Sequence, residues 1–192
     1  MHKVQTQPDV ACVGKGSQRL TVAGCGNPYA GDDSVGPEII RRLEARDDLK
    51  CQLRVLPEGG LGLLSLFEGA DVVLFVDAVL GECSPGTIHL IPMPSQQVWP
   101  RALGLITSHG WGLGETFRLA CALGRQVPCF MLLGVELGEV SLGARRSLAV
   151  DRAIELIVDR FQAIQALLMD SESPVWVSGH RFLPGDDSFP CR

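Results

Sequence analysis

Three sets of side chains have the types and placement to do chemistry: the adjacent acids Asp32 and Asp33, Asp77 at the close of an apolar run, and His109 within Thr107-Ser108-His109-Gly110. In open α/β sheets, ligands bind beyond the carboxyl ends of the strands. All three sets are predicted at that rim. A carboxylate just before a helix also works as a cap, meeting orphan N–H groups at the positive end of the helix dipole. Capping would occupy one member of the Asp32-Asp33 pair; it does not call for two. Taken alone, Asp77 reads as a loop cap and His109 as a hydrogen-bonded loop histidine. Taken together, two carboxylates and an imidazole can form an open metal site. Imidazole suits nickel and zinc, and carboxylates leave positions for water or substrate. His2, His89 and His180 are weaker candidates, lying in a tail, an alternating strand and a C-terminal segment.

Other motifs lack their anchor residues. Gly24-Cys25-Gly26 begins like a dinucleotide-binding loop, but Tyr29 stands where the third glycine belongs, and no Walker-type lysine follows. Neither a Gly-x-Ser-x-Gly elbow nor a His-Glu-x-x-His pair occurs.

The elements that must position these residues alternate in type. Leu20–Ala23 and 51–56 read as strands, and Val72–Val76, bounded by Asp71 and Asp77, reads as a central strand covered on both faces. Residues 86–91 read as a strand near an edge, because prolines flank it. Phe130–Leu133 reads as a last strand ending at Gly134. Helical spacing links Val35, Ile39, Ile40 and Leu43, with Pro37 in the first turn. Leu61–Phe67 and the stripe Leu113, Phe117, Ala120 and Cys121 suggest further helices. Val150, Ile154, Ile157, Phe161, Ile164 and Leu168 predict one long amphipathic helix. Strands alternating with helices predict a three-layer α/β/α sandwich around a mostly parallel, twisted, five-stranded sheet. Residues 18–170 are expected to form this domain. Residues 1–17 read as a loose tail and 171–192 as an extended or disordered appendage.

Composition narrows the function classes. A chain of 192 residues with 46% hydrophobic content can bury one core but not two full-sized ones. Its 17 Lys and Arg against 22 Asp and Glu leave a net charge of −5, so no nucleic-acid partner is expected. No apolar run reaches the roughly 18–20 residues of a membrane span, and Met1–Gln7 lacks a signal peptide's apolar middle. A cytoplasmic protein without a membrane partner is expected. The seven cysteines are scattered, odd in number and never spaced C-x-x-C. They are therefore expected to be inert core thiols, not disulfides or metal ligands.

The segment Gly26-Asn27-Pro28-Tyr29-Ala30-Gly31-Asp32-Asp33-Ser34-Val35-Gly36 resembles the opening signature of the hydrogenase maturation proteases. These endopeptidases trim the C-terminus of the large subunit of [NiFe] hydrogenases. The likeness continues through Glu58-Gly59-Gly60-Leu61-Gly62-Leu63-Leu64, Val76-Asp77-Ala78, Ser108-His109 and Leu133-Gly134-Val135-Glu136, in order, between about residues 19 and 168. Ser34, Leu61 and Leu137 depart from the pattern, but none of them is a ligand position. The resemblance implies a nickel-sensing site at Asp33, Asp77 and His109, which would also be the catalytic residues of a carboxylate-assisted endopeptidase. It implies that nickel arrives with the hydrogenase large-subunit precursor, although another divalent ion could occupy the site in a crystal. A non-catalytic nickel-binding chaperone for hydrogenase assembly is the alternative.

Overall fold

Strand β1 (Leu20–Cys25) is buried at every position, as a strand must be when both sheet faces are covered. The same holds for β6 (Cys129–Glu136) and for all of β3 (Val72–Leu80) except its last residue. The computed structural model describes residues 19–56, 62–93, 106–107, 119–120, 122–125 and 127–169. Its sheet runs β2-β1-β3-β6-β4, where β2 is Gln52–Leu56 and β4 is Ile88–Met93. The pairings β1–β2, β1–β3 and β3–β6 are parallel, and edge strand β4 lies antiparallel to β6. A two-residue strand, β5 (Ile106–Thr107), pairs antiparallel with the end of β3. The expected five-stranded, mostly parallel sheet is thus observed, with a short extra strand at its rim.

Strand alternation sorts the core into two layers. One face carries Leu20, Val22, Val72, Leu74, Val76, Met131 and Leu133. Helix α1 (Val35–Leu43) covers it together with α3 (Leu148–Asp159) and α4 (Phe161–Met169). The opposite face carries Ala23, Cys25, Val73, Phe75, Val79, Phe130 and Leu132. It packs against Leu66 of α2 (Gly62–Leu66), against Phe67 and against Ala120.

The expected α1 stripe holds: Val35, Ile39, Ile40 and Leu43 are fully buried, while Glu38 faces outward to Arg41 and Arg42. Gly36 lets this helix start close against the sheet. A β-carbon there would stand 2.1 Å from the Cys25 carbonyl oxygen and 2.7 Å from that of Val76. Only glycine permits that approach.

Several expectations are corrected. Asp77 does not close its strand: β3 continues to Leu80, pairing Ala78 and Val79 with Val135 and Glu136. Likewise β6 runs past Gly134 to Glu136. A carboxylate and a glycine read as boundaries in sequence, but Asp77 pairs with Gly134 and the ladder continues through both. The long C-terminal helix is two helices, broken at Arg160 (φ −94°, ψ 5°), whose carbonyl accepts from the Ala163 and Ile164 N–H groups. The apolar stripe runs on across the break, because all six predicted positions are buried. Cys83 and Cys129 each take part in a disulfide, at opposite ends of the sheet and not with one another, contrary to the expectation of inert thiols. Cysteine spacing along a chain does not report which sulfurs the fold brings together. The expected tail (1–17), the appendage (171–192), the Gly59-Gly60 turn, Leu113, Phe117 and Cys121 lie outside the described residues.

Candidate functional site

From β1 the chain turns outward through α1 to β2, then crosses back to β3 on the other side of β1. Strand order therefore reverses between β1 and β3, the place where open α/β sheets bind ligands beyond the carboxyl ends of their strands. Gly26 (φ 138°) follows β1 and begins the turn at this rim of the sheet. Asn27 shapes the turn: its side-chain oxygen accepts from the Tyr29 N–H at 3.0 Å, and its carbonyl from the Ala30 N–H at 3.1 Å. The chain then enters a short 3-10 helix, Gly31–Ser34, which packs against β3.

Two adjacent acids on this turn do different jobs. Asp32 is buried and ties down a distant loop. Its Oδ2 accepts from the N–H groups of Gly138 (2.8 Å) and Glu139 (3.1 Å), and its Oδ1 from that of Ser147 (2.7 Å). The Asp32 N–H in turn donates to the Glu139 carbonyl at 3.1 Å. Asp32 is thus a clamp between segments, not the helix cap that its position suggests. Asp33 makes a different contact: its Oδ2 accepts from the Asn27 N–H at 2.9 Å, just after the end of β1. Arg146 completes the frame, held by Asp151 at 2.8 Å and donating to Ser34 Oγ at 3.1 Å.

Asp77 enters from the sheet itself. It lies within β3, is fully buried, and accepts at Oδ1 from the Ala78 N–H at 2.9 Å. Its partner Gly134 has no side chain to crowd it. The structure therefore brings the elements carrying Asp33 and Asp77 together at the switch point. His109 lies outside the described residues. Thr107, two positions before it in the chain, pairs with Val79, two positions after Asp77.

Sequence reasoning gave little weight to a buried pair on the same sheet face. His89 Nε2 lies 3.3 Å from Glu136 Oε1, and both side chains are buried. Glu136 Oε2 accepts from the Gly81 N–H at 2.9 Å. The signals were an alternating strand around His89 and the Gly134-Val135-Glu136 segment. Only the antiparallel β4–β6 register joins them.

The architecture defines an α/β protein in which two acids, Asp33 and Asp77, sit on neighbouring elements where the strand order reverses. No family model matches the sequence. The chain is 29% identical over 153 residues to a protein of Methanocaldococcus jannaschii provisionally named a hydrogenase maturation protease, a match covering 72% of this chain and 94% of that one. Among solved structures, the [NiFe] hydrogenase maturation protease HybD of Thermococcus kodakarensis superposes with a TM-score of 0.61 at 20% identity, covering 76% of this chain and 98% of its own. The endopeptidase HybD of E. coli gives 0.61 at 22%, over 77% and 92%. The protease HycI of T. kodakarensis gives 0.57 at 24%, over 79% and 95%. The expected resemblance to the hydrogenase maturation proteases therefore holds in sequence and in fold.

Proposed function

We propose that this protein is a peptidase of hydrogenase maturation, which removes a C-terminal peptide from a nickel-loaded large-subunit precursor. One observation carries the reading: of two adjacent acids, Asp32 is consumed by the scaffold, while Asp33 sits on the short 3-10 helix that packs against β3, the strand carrying Asp77. The sequence relative named as a protease, and solved maturation proteases of the same fold, support the choice of reaction.

In this reading Asp33, Asp77 and His109 hold the nickel that the precursor brings. The donor set fits: two carboxylates and an imidazole suit a borderline divalent cation and leave positions for substrate. A site of two acids has little affinity for an empty, neutral segment, so binding itself would test whether the precursor is loaded. The bound ion would supply Lewis acidity at the scissile carbonyl or at an attacking water. Asp33 or Asp77 would take the proton of that water as general base, and the departing amine would be protonated as the C–N bond breaks. Fixing water, base and carbonyl together removes much of the entropic cost of their encounter. The protein is expected to act in the cytoplasm, and no described helix is long and apolar enough to cross a membrane.

The test is incubation with purified precursor, with and without nickel, followed by intact-mass measurement. Loss of a C-terminal peptide from the loaded precursor alone is the expected result. Asp33→Asn, Asp77→Asn and His109→Ala should each abolish it while leaving circular dichroism unchanged. Equal cutting of nickel-free precursor would remove the sensing role. A loaded precursor that binds but is never cut would favour the chaperone alternative.

A further inference from the structure

We propose that Cys83, His89 and Glu136 form a second site for a divalent cation of the zinc type, opened by reduction of the disulfide at Cys83. The three residues come from different places. Cys83 lies in the loop between β3 and β4, His89 in β4 and Glu136 at the end of β6. One sulfur, one imidazole nitrogen and one carboxylate oxygen nevertheless lie within 4.8 Å of one another. The mixed S, N and O set is one that zinc takes, at about 2.3 Å from sulfur and 2.0–2.2 Å from nitrogen and oxygen. Two light ligands on one tetrahedral ion then stand about 3.3 Å apart. His89 Nε2 and Glu136 Oε1 are 3.3 Å apart.

The surroundings favour a cation. Glu136 is 1% exposed, and its Oε1 accepts no hydrogen bond among the described residues. A buried carboxylate is costly unless a positive charge compensates it. The Gly81 N–H holds Oε2, which leaves Oε1 directed at His89 and orients it as outer contacts orient metal ligands. The loop that carries Cys83 is itself anchored: Gly86 donates to the Glu136 carbonyl at 2.8 Å, and Glu136 donates to the Thr87 carbonyl at 2.9 Å. Cys83 is only half-buried, so a water can complete the coordination from outside.

The site is separate from the Asp33–Asp77 pair. Asp77 and His89 pair with Gly134 from opposite sides, which sets them two strand spacings apart, about 10 Å. Val79 fills the space over Gly134, with its Cγ1 2.8 Å from where a β-carbon would stand.

A disulfide sulfur carries no thiolate charge, so the oxidised protein offers two ligands, not three. A dithiol reductant would give its two electrons and two protons to the disulfide, yielding two thiols and its own oxidised disulfide. Binding the metal would then release the Cys83 thiol proton.

The experiment uses full-length protein, reduced with a dithiol and then freed of it without oxygen, against the oxidised form. Zinc alone is titrated against a chromophoric chelator, and cobalt(II) alone is followed by absorption. The reduced protein should bind one more equivalent of zinc than the oxidised protein and show thiolate-to-cobalt charge transfer. Both signals should vanish in Cys83→Ser and weaken in His89→Gln, and both should survive in Asp33→Asn/Asp77→Asn. That last variant separates this site from the proposed peptidase centre. Equal zinc binding in both redox states, full binding in Cys83→Ser, or loss in the double Asp variant would each overturn the proposal.

Discussion

Asp32→Ala should loosen the protein without touching the proposed reacting groups, and its cost can be worked from the three contacts the carboxylate makes. Hydrogen bonds to a charged group contribute about 1.5–3 kcal/mol each, so losing three would cost roughly 5–9 kcal/mol if every partner stayed dry. They would not. Gly138 and Glu139 are exposed, so their N–H groups regain water once the loop lifts, whereas Ser147 is half-buried and precedes α3. About 3 kcal/mol is therefore the expected loss. For a domain of this size that corresponds to a fall in melting temperature of roughly 6–12 °C. Urea denaturation and thermal unfolding followed by circular dichroism would measure it. Asp33→Asn, one residue away, serves as the control: it should abolish cleavage with little change in melting temperature. An Asp32→Ala change below about 0.5 kcal/mol, the range of ordinary surface substitutions, would refute the clamp.

Two further outcomes follow from the same frame. Gly36→Ala places a β-carbon 2.1 Å and 2.7 Å from two backbone oxygens, which cannot rotate away, so α1 must shift. The expected loss is about 3 kcal/mol or more, seen as a lowered melting temperature or insoluble expression; wild-type stability would mean that α1 does not press on the sheet. Glu38 is held down to a pKa of about 2, from an ordinary 4.5, by hydrogen bonding to Arg41 first, with Arg42 and Arg146 adding to it. Because the folded value lies below the unfolded one, this contribution is complete above pH 4.5 and is lost as pH falls toward 2. Glu38→Gln should flatten the acid dependence of the urea midpoint within that window. An unchanged slope would show that Glu38 does not couple to folding.

Much of this protein was legible in its sequence because the signals are local. An unbroken apolar run at Val72–Val76 demands cover on both faces, and α1 buries the stripe that its spacing draws. The place of the Asp32-Asp33 motif, just beyond the carboxyl end of β1, was legible in the same way. Local signals could not divide labour between two adjacent acids. That depended on which carboxylate met the backbone of residues 138–147, more than a hundred positions away. Nor could they extend β3 past Asp77, since the ladder continues only because Gly134 of another strand lies alongside. The pairing of His89 with Glu136 likewise required an antiparallel register, and side-chain alternation within one strand does not determine its register against the next. Residue type and periodicity decided which segments form strands and helices. Long-range hydrogen bonding and strand register decided which of the charged residues became scaffold and which were brought together as pairs.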